Sequence, residues 1–129
     1  MDLFLLLLIK HAVIDLGIQA QLVGIEKSKY FGNGHIHYLH HGIGTLVIAG
    51  LYFPLIPGLI IVLFDYIIHW HIDYTKHKVN RFFAIESRTP AWWWISVIDQ
   101  CLHFLTYYFI AMYASCLLYT SPSPRDSDS

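Results

Sequence analysis

The chain has 129 residues, 56% apolar and 16% aromatic, with only 13% charged and a formal net charge of −1. A soluble domain usually carries about a quarter charged residues, and a nucleic-acid binder shows a clustered basic excess. The composition speaks against both and names a lipid bilayer as the partner, with a length that bounds the chain at one domain.

Four apolar segments follow in chain order, each near the ~20 residues that cross a bilayer as helix. The first covers about residues 3–23 and is closed by Gly24 and the charged IEKSK. Its start, MDLFLLLLIKH, lacks a basic leader and a small-residue cleavage site, so a cleaved signal peptide is not expected. The second covers about 35–53, after the helix-breaking FGNG; the third covers about 59–75, after a tight turn expected at Pro54, Pro57 and Gly58. The stretch KHKVNRFFAIESR alternates basic and aromatic residues, as a piece lying on a membrane surface does. The fourth segment, about 91–114, opens with Trp92, Trp93 and Trp94, placed as an interfacial aromatic belt.

The fold class expected is all-α, a polytopic membrane bundle of four transmembrane helices, with residues 1–115 as a single transmembrane domain. Residues 116–129 are set apart. The run from Cys116 to Asp126, CLLYTSPSPRD, resembles the translation of a sequencing adapter read in frame, so a non-native tail is expected there. Cys101 is then the only native cysteine, and no internal disulfide is possible. Lys27 and Lys29 fall in the first loop, Lys76, Lys78, Arg81 and Arg88 in the third, and the second loop carries no charge. The positive-inside rule puts loops one and three in the cytoplasm of a cell inner (plasma) membrane, with both termini outside. Lys10 lies within the first span and does not bear on orientation.

Every span carries one polar pair spaced by four residues: His11 and Asp15, His37 and His41, His69 and Asp73, Asp99 and His103. Residues at i and i+4 share a helix face, and counting turns from the loops puts all four pairs at one depth. A central Asp costs ~2.5–3.5 kcal/mol to insert, so such groups must satisfy one another or bind something. Five imidazoles and three carboxylates make a mixed N/O set suited to Zn²⁺, Fe²⁺ or Mn²⁺, and inward ligands on four helices are how bundle-core metal sites are built. The set holds two metals, or one metal with carboxylates orienting the imidazoles; Asp15, Asp73 and Asp99 are the candidate catalytic groups, as ligands or general bases. An open coordination position would hold a water made acidic by the metal.

Taken one at a time, each pair reads more simply as a hydrogen-bonded contact between helices. His35, His40 and His71 fall off the stripes and read as interfacial or supporting residues, and His77 as surface. Asp65 either extends the third stripe or pairs with a nearby His. Gln19 reads as a ligand's partner or, more simply, as a plain helix contact, and Lys76 as a binder of an anionic headgroup or, more simply, as a snorkelling side chain. Glycines 42, 44 and 50 suit a close-packing face, without the G-x-x-x-G spacing of a dimer motif.

In order, His11-x-x-x-Asp15-x-x-x-Gln19, His37-x-x-x-His41, His69-x-x-x-Asp73-x-x-Lys76 and Asp99-Gln100-x-x-His103 resemble a family of small bacterial and phage integral-membrane proteins, domain of unknown function 3307. The resemblance runs from about residue 8 to 108 and implies a polytopic helical membrane protein. Here Asp15 is followed by Leu-Gly where an aromatic is the family's habit. The motif set is also distantly similar to membrane-bound metal-dependent hydrolases, an analogy of pattern. The expected function is a metal-dependent hydrolase acting on an amphiphilic phosphate or ester. Its rivals are a proton or metal-ion transport component, and a structural membrane subunit whose polar pairs only knit helices to each other or to a protein partner.

Overall fold

Asp2 opens the first helix by accepting the Leu5 N–H on its side chain at 3.2 Å, one of the donors a helix start leaves free. From there a computed structural model, describing residues 2–21 and 25–120, gives α1 at Leu3–Ala12, α2 at His35–Tyr52, α3 at Leu55–Phe82 and α4 at Pro90–Thr120. The chain is all-α, with four helices and no strand among the described residues. After Ala12 the first helix widens into a π-helical turn, Val13–Ile18, in which the Gln19 N–H reaches back to the Ile14 carbonyl, and then ends in a 3₁₀ turn, Gln19–Gln21. The end of the expected first span, residues 22–24, lies outside the described residues. So does the adapter-like tail from residue 121, whereas residues 116–120 continue α4.

Two expected boundaries are corrected. Pro57 and Gly58 do not form a turn before the third helix. They lie in its first turn after Pro54 at the cap, where a missing N–H costs no bond. The third helix also runs on through Lys76–Phe82, so half of the expected surface piece is a continuation of α3; it stops at Ala84, which takes a left-handed φ of 49°. Thr89 starts α4, its hydroxyl oxygen 3.4 Å from the Trp92 N–H.

Each helix packs against its two neighbours, α1 on α2 and α4, and α3 on α2 and α4. Gly44 is what lets α1 approach α2: a Cβ there would lie 2.8 Å from Lys10 Cγ and 3.1 Å from Ile14 Cδ1. Gly42 packs near Tyr66, whereas a Cβ at Gly50 would meet nothing, so only part of the expected glycine face is used.

Burial is inverted relative to a water-soluble fold. Lysine, histidine, aspartate and threonine side chains fill much of the interior, while leucines, isoleucines and phenylalanines such as Leu16, Leu51, Leu63 and Phe109 are exposed. Among the described residues two helices, α3 and α4, are long and apolar enough by themselves to cross a membrane, against the four such segments expected. The histidines at the start of α2 and the 10-residue length of α1 hold those two below that mark. Just 22% and 28% of the apolar stretches of α3 and α4 are buried, unlike the core helices of a soluble domain.

The interior is layered. At one end Leu3, Leu7, Ile48, Ile61, Ile110 and Ala114 close an apolar cluster with Tyr107. One turn further along each helix comes Lys10, Thr45, Asp65 and Tyr107, and one turn further again the four polar pairs. The same stripes carry all three layers because each repeats every three or four residues.

Candidate metal centre

The structure brings the eight side chains of the four pairs into one cluster. Asp15, in the π-helical turn, meets three imidazoles: Oδ1 lies 2.8 Å from His41 Nε2 and 3.2 Å from His37 Nε2, and Oδ2 lies 2.9 Å from His11 Nε2. Asp73 answers from α3, with Oδ1 3.1 Å from His103 Nε2 and Oδ2 3.4 Å from His69 Nε2. Asp99 Oδ1 lies 3.4 Å from His103 Nε2. All eight are buried except Asp15, whose side chain is 20% exposed.

Every imidazole turns the same atom, Nε2, toward the carboxylates. The rings of His41 and His69 stack at 3.8 Å and those of His69 and His103 at 4.0 Å. His37 Nε2 and His69 Nε2 face each other at 3.3 Å, where either one proton is shared or both lone pairs address a cation. The Nδ1 atoms of His37, His41 and His69 are buried with no hydrogen-bond partner among the described residues, so these rings spend their polar capacity at Nε2. His11 differs: its Nδ1 lies 2.8 Å from the Tyr107 hydroxyl, and its Nε2 also lies 2.9 Å from Gln100 Oε1.

The donor set fits a divalent ion. Asp15, His37, His41 and His69 bring four ligand atoms within 4.8 Å of one another; His11, His69 and His103 form a second group, and Asp73, Asp99 and His103 a third. Tetrahedral ligands about 2.0–2.1 Å from a zinc ion stand roughly 3.3 Å apart, and the Nε2-to-carboxylate separations above bracket that value. Asp99 Oδ1, buried and with no hydrogen bond among the described residues, is a further oxygen donor of the same kind beside His103.

Three lysines complete the electrostatics, and none was legible as part of the site. Lys27, expected in a solvated loop, is 6% exposed; its Nζ lies 2.8 Å from Asp73 Oδ2 and donates to Gln19 Oε1 at 3.0 Å. Its strap is pressed on the start of α2, where a Cβ at Gly34 would stand 2.9 Å from the Glu26 carbonyl oxygen. Lys76 does not snorkel: its Nζ donates to Asp99 Oδ2 at 3.2 Å. Lys10 and Asp65 pair at 3.1 Å in the layer beneath, with Lys10 also donating to Thr45 Oγ1 at 3.1 Å and Tyr107 OH at 3.3 Å. Asp65 therefore pairs with a lysine, not a histidine. The helical period would have found it: Lys10 precedes His11, and Asp65 sits four residues before His69.

Two histidines off the stripes, His35 and His71, hold the loop before α2 through Tyr30. His35 Nδ1 lies 2.6 Å from Tyr66 OH and His71 Nε2 2.8 Å from Tyr30 OH. His40 is half-buried, and so is His77, which corrects its surface placement. Cys101 and Cys116 are exposed and lie outside the cluster, so the cluster's ligands are nitrogen and oxygen alone.

The sequence profile described as "Protein of unknown function (DUF3307)" matches residues 3–125, and the chain belongs to that family. No curated protein and no solved structure matches it.

Proposed function

We propose that this member of a family with no assigned activity is a four-span membrane protein that holds a divalent metal between its helices and hydrolyses an amphiphilic phosphate or ester. The observation that carries the proposal is the turning of five Nε2 atoms and three carboxylates to one buried centre. His11, His37, His41, His69 and His103 would ligate, with Asp15, Asp73 and Asp99 as ligands or as the groups that take up a proton. A bound divalent ion supplies Lewis-acid polarisation and lowers the pKa of water. The chain's own part is to hold the donors, exclude bulk water through the strap at Lys27, and keep an edge open at Asp15, the one member of the cluster that solvent reaches.

The inverted burial supports a bilayer around all four helices, because exposed leucines and isoleucines need a hydrocarbon environment. Trp93, Trp94, Phe82 and Phe83 are exposed at the loop-three end, as interfacial aromatics are. With Lys27 and Lys76 buried or half-buried in ion pairs, the orientation rests on Lys29 and Arg88, in loops one and three, and on Lys78 and Arg81, at the end of α3 that enters loop three, all exposed. They favour the cytoplasmic side of the plasma membrane for those loops.

Transport is the rival reading, and the apolar layer of Leu7, Ile48, Ile61 and Ile110 weighs against it by closing one end of the polar interior. Chain reconstituted with Zn²⁺ or Mn²⁺ should release phosphate or acid from a detergent-dispersed alkyl phosphate or ester, and a chelator should abolish the release. Metal-dependent flux across proteoliposomes, with no hydrolysis of either substrate, would overturn the proposal.

A further inference from the structure

Asp73 and Asp99 share one pattern. Each shows Oδ1 to His103 Nε2 and gives Oδ2 to a lysine, Lys27 at 2.8 Å and Lys76 at 3.2 Å. Lys76 and Asp99 line the wall of a cleft of about 350 Å³ between α3 and α4, with His71 and Thr75 beside them. From there the cleft runs along Ile68, Ile72, Ile98 and Leu102, almost wholly apolar. Two other clefts on the bundle, one beside Phe64 and Phe109 and one beside Leu46 and Leu63, are lined by no ionisable side chain other than a tyrosine.

We infer that the α3–α4 cleft binds an amphiphile carrying a phosphate group, with its hydrocarbon along Ile72, Ile98 and Leu102 and its phosphate on Lys76. The inference rests on the metal centre proposed above and names the substrate class of that site. The argument is one of charge. A divalent cation taken up by Asp99 draws off the negative charge that now holds the Lys76 ammonium. A half-buried cation that loses its partner is disfavoured, so an arriving anion takes the carboxylate's place. The lysine ammonium is a compact point charge of the kind phosphate sites use. The side chain of Lys76 is 20% exposed, against 2% for Asp99, so the arriving anion meets the lysine first.

Zinc-loaded chain in a neutral detergent, titrated calorimetrically with dodecyl phosphate, inorganic phosphate and dodecanol, tests the inference, with zinc assayed on the same samples. Dodecyl phosphate should bind about tenfold or more tighter than either half-ligand, since each contributes one of the two contacts. Lys76→Gln should weaken it by roughly ten- to a hundredfold, the worth of a charge-assisted hydrogen bond, with zinc content unchanged; Lys76→Arg controls for folding and should retain binding. Leu102→Trp, which fills the cleft, should weaken dodecyl phosphate and leave inorganic phosphate alone. Zinc present with dodecyl phosphate bound no tighter than dodecanol, or equally by Lys76→Gln, overturns the inference alone. A wild-type chain that takes up no zinc overturns the metal centre instead.

Discussion

Replacing Lys10 by methionine should cost the fold about 3–5 kcal/mol, the penalty for removing one partner of a buried ion pair. Lys10 is 7% exposed and Asp65 1%. Without the ammonium, Asp65 keeps only the Thr45 hydroxyl, which donates to its Oδ2 at 2.5 Å. The methionine fills much the same volume against Gly44 and Ile14, so the loss reports the stranded carboxylate and not a cavity. Lys10→Met combined with Asp65→Leu should recover most of the stability, because apolar replacement of both members of a buried pair is often neutral or better. Unfolding of the detergent-solubilised chain by sodium dodecyl sulfate measures both. A single variant within about 1 kcal/mol of wild type would mean that water reaches Asp65 and that the layer is not sealed.

The second large effect lies in the cluster. His37→Ala combined with His41→Ala removes two Nε2 atoms that face Asp15 at 3.2 and 2.8 Å. Alanine keeps the helix, being the strongest helix former. Metal affinity should fall by well over about a hundredfold, beyond the ten- to hundredfold typical of losing an outer partner. His40→Ala, on the same helix but outside the cluster, should keep its full metal content. Elemental analysis of the three purified chains separates the cases. Equal metal in all three would leave the α2 histidines as helix contacts.

The reason the cluster could be approached from sequence is periodicity. A side chain pair at i and i+4 declares its common face without any knowledge of neighbours, and that spacing recurs on all four helices. The layer of Lys10, Thr45, Asp65 and Tyr107 lies on the same stripes, but it was not read from the sequence. What escaped were the lysines, because the expectation that charge goes to water assigned Lys27 to a loop and Lys76 to the interface. Lys27 is drawn in by Asp73 across a strap whose path depends on the close approach at Gly34, a contact no local pattern encodes. The π-helical turn that carries Asp15 was likewise invisible, since its sequence, VIDLGI, reads as ordinary helix. Pro57 misled for the opposite reason: a proline signals a break, yet it is tolerated in a helix's first turn. Length and hydropathy also spoke differently for the four segments, because the imidazoles that build the centre are what lower the apolarity of α2.

X-ray absorption at the zinc edge of the loaded chain asks directly whether these eight side chains surround a metal ion. One shell of nitrogen and oxygen is expected at about 2.0–2.2 Å, with several imidazoles in the outer scattering and no sulfur, since both cysteines lie outside the cluster. A spectrum of hydrated zinc, or one with sulfur in the first shell, would contradict the metal centre.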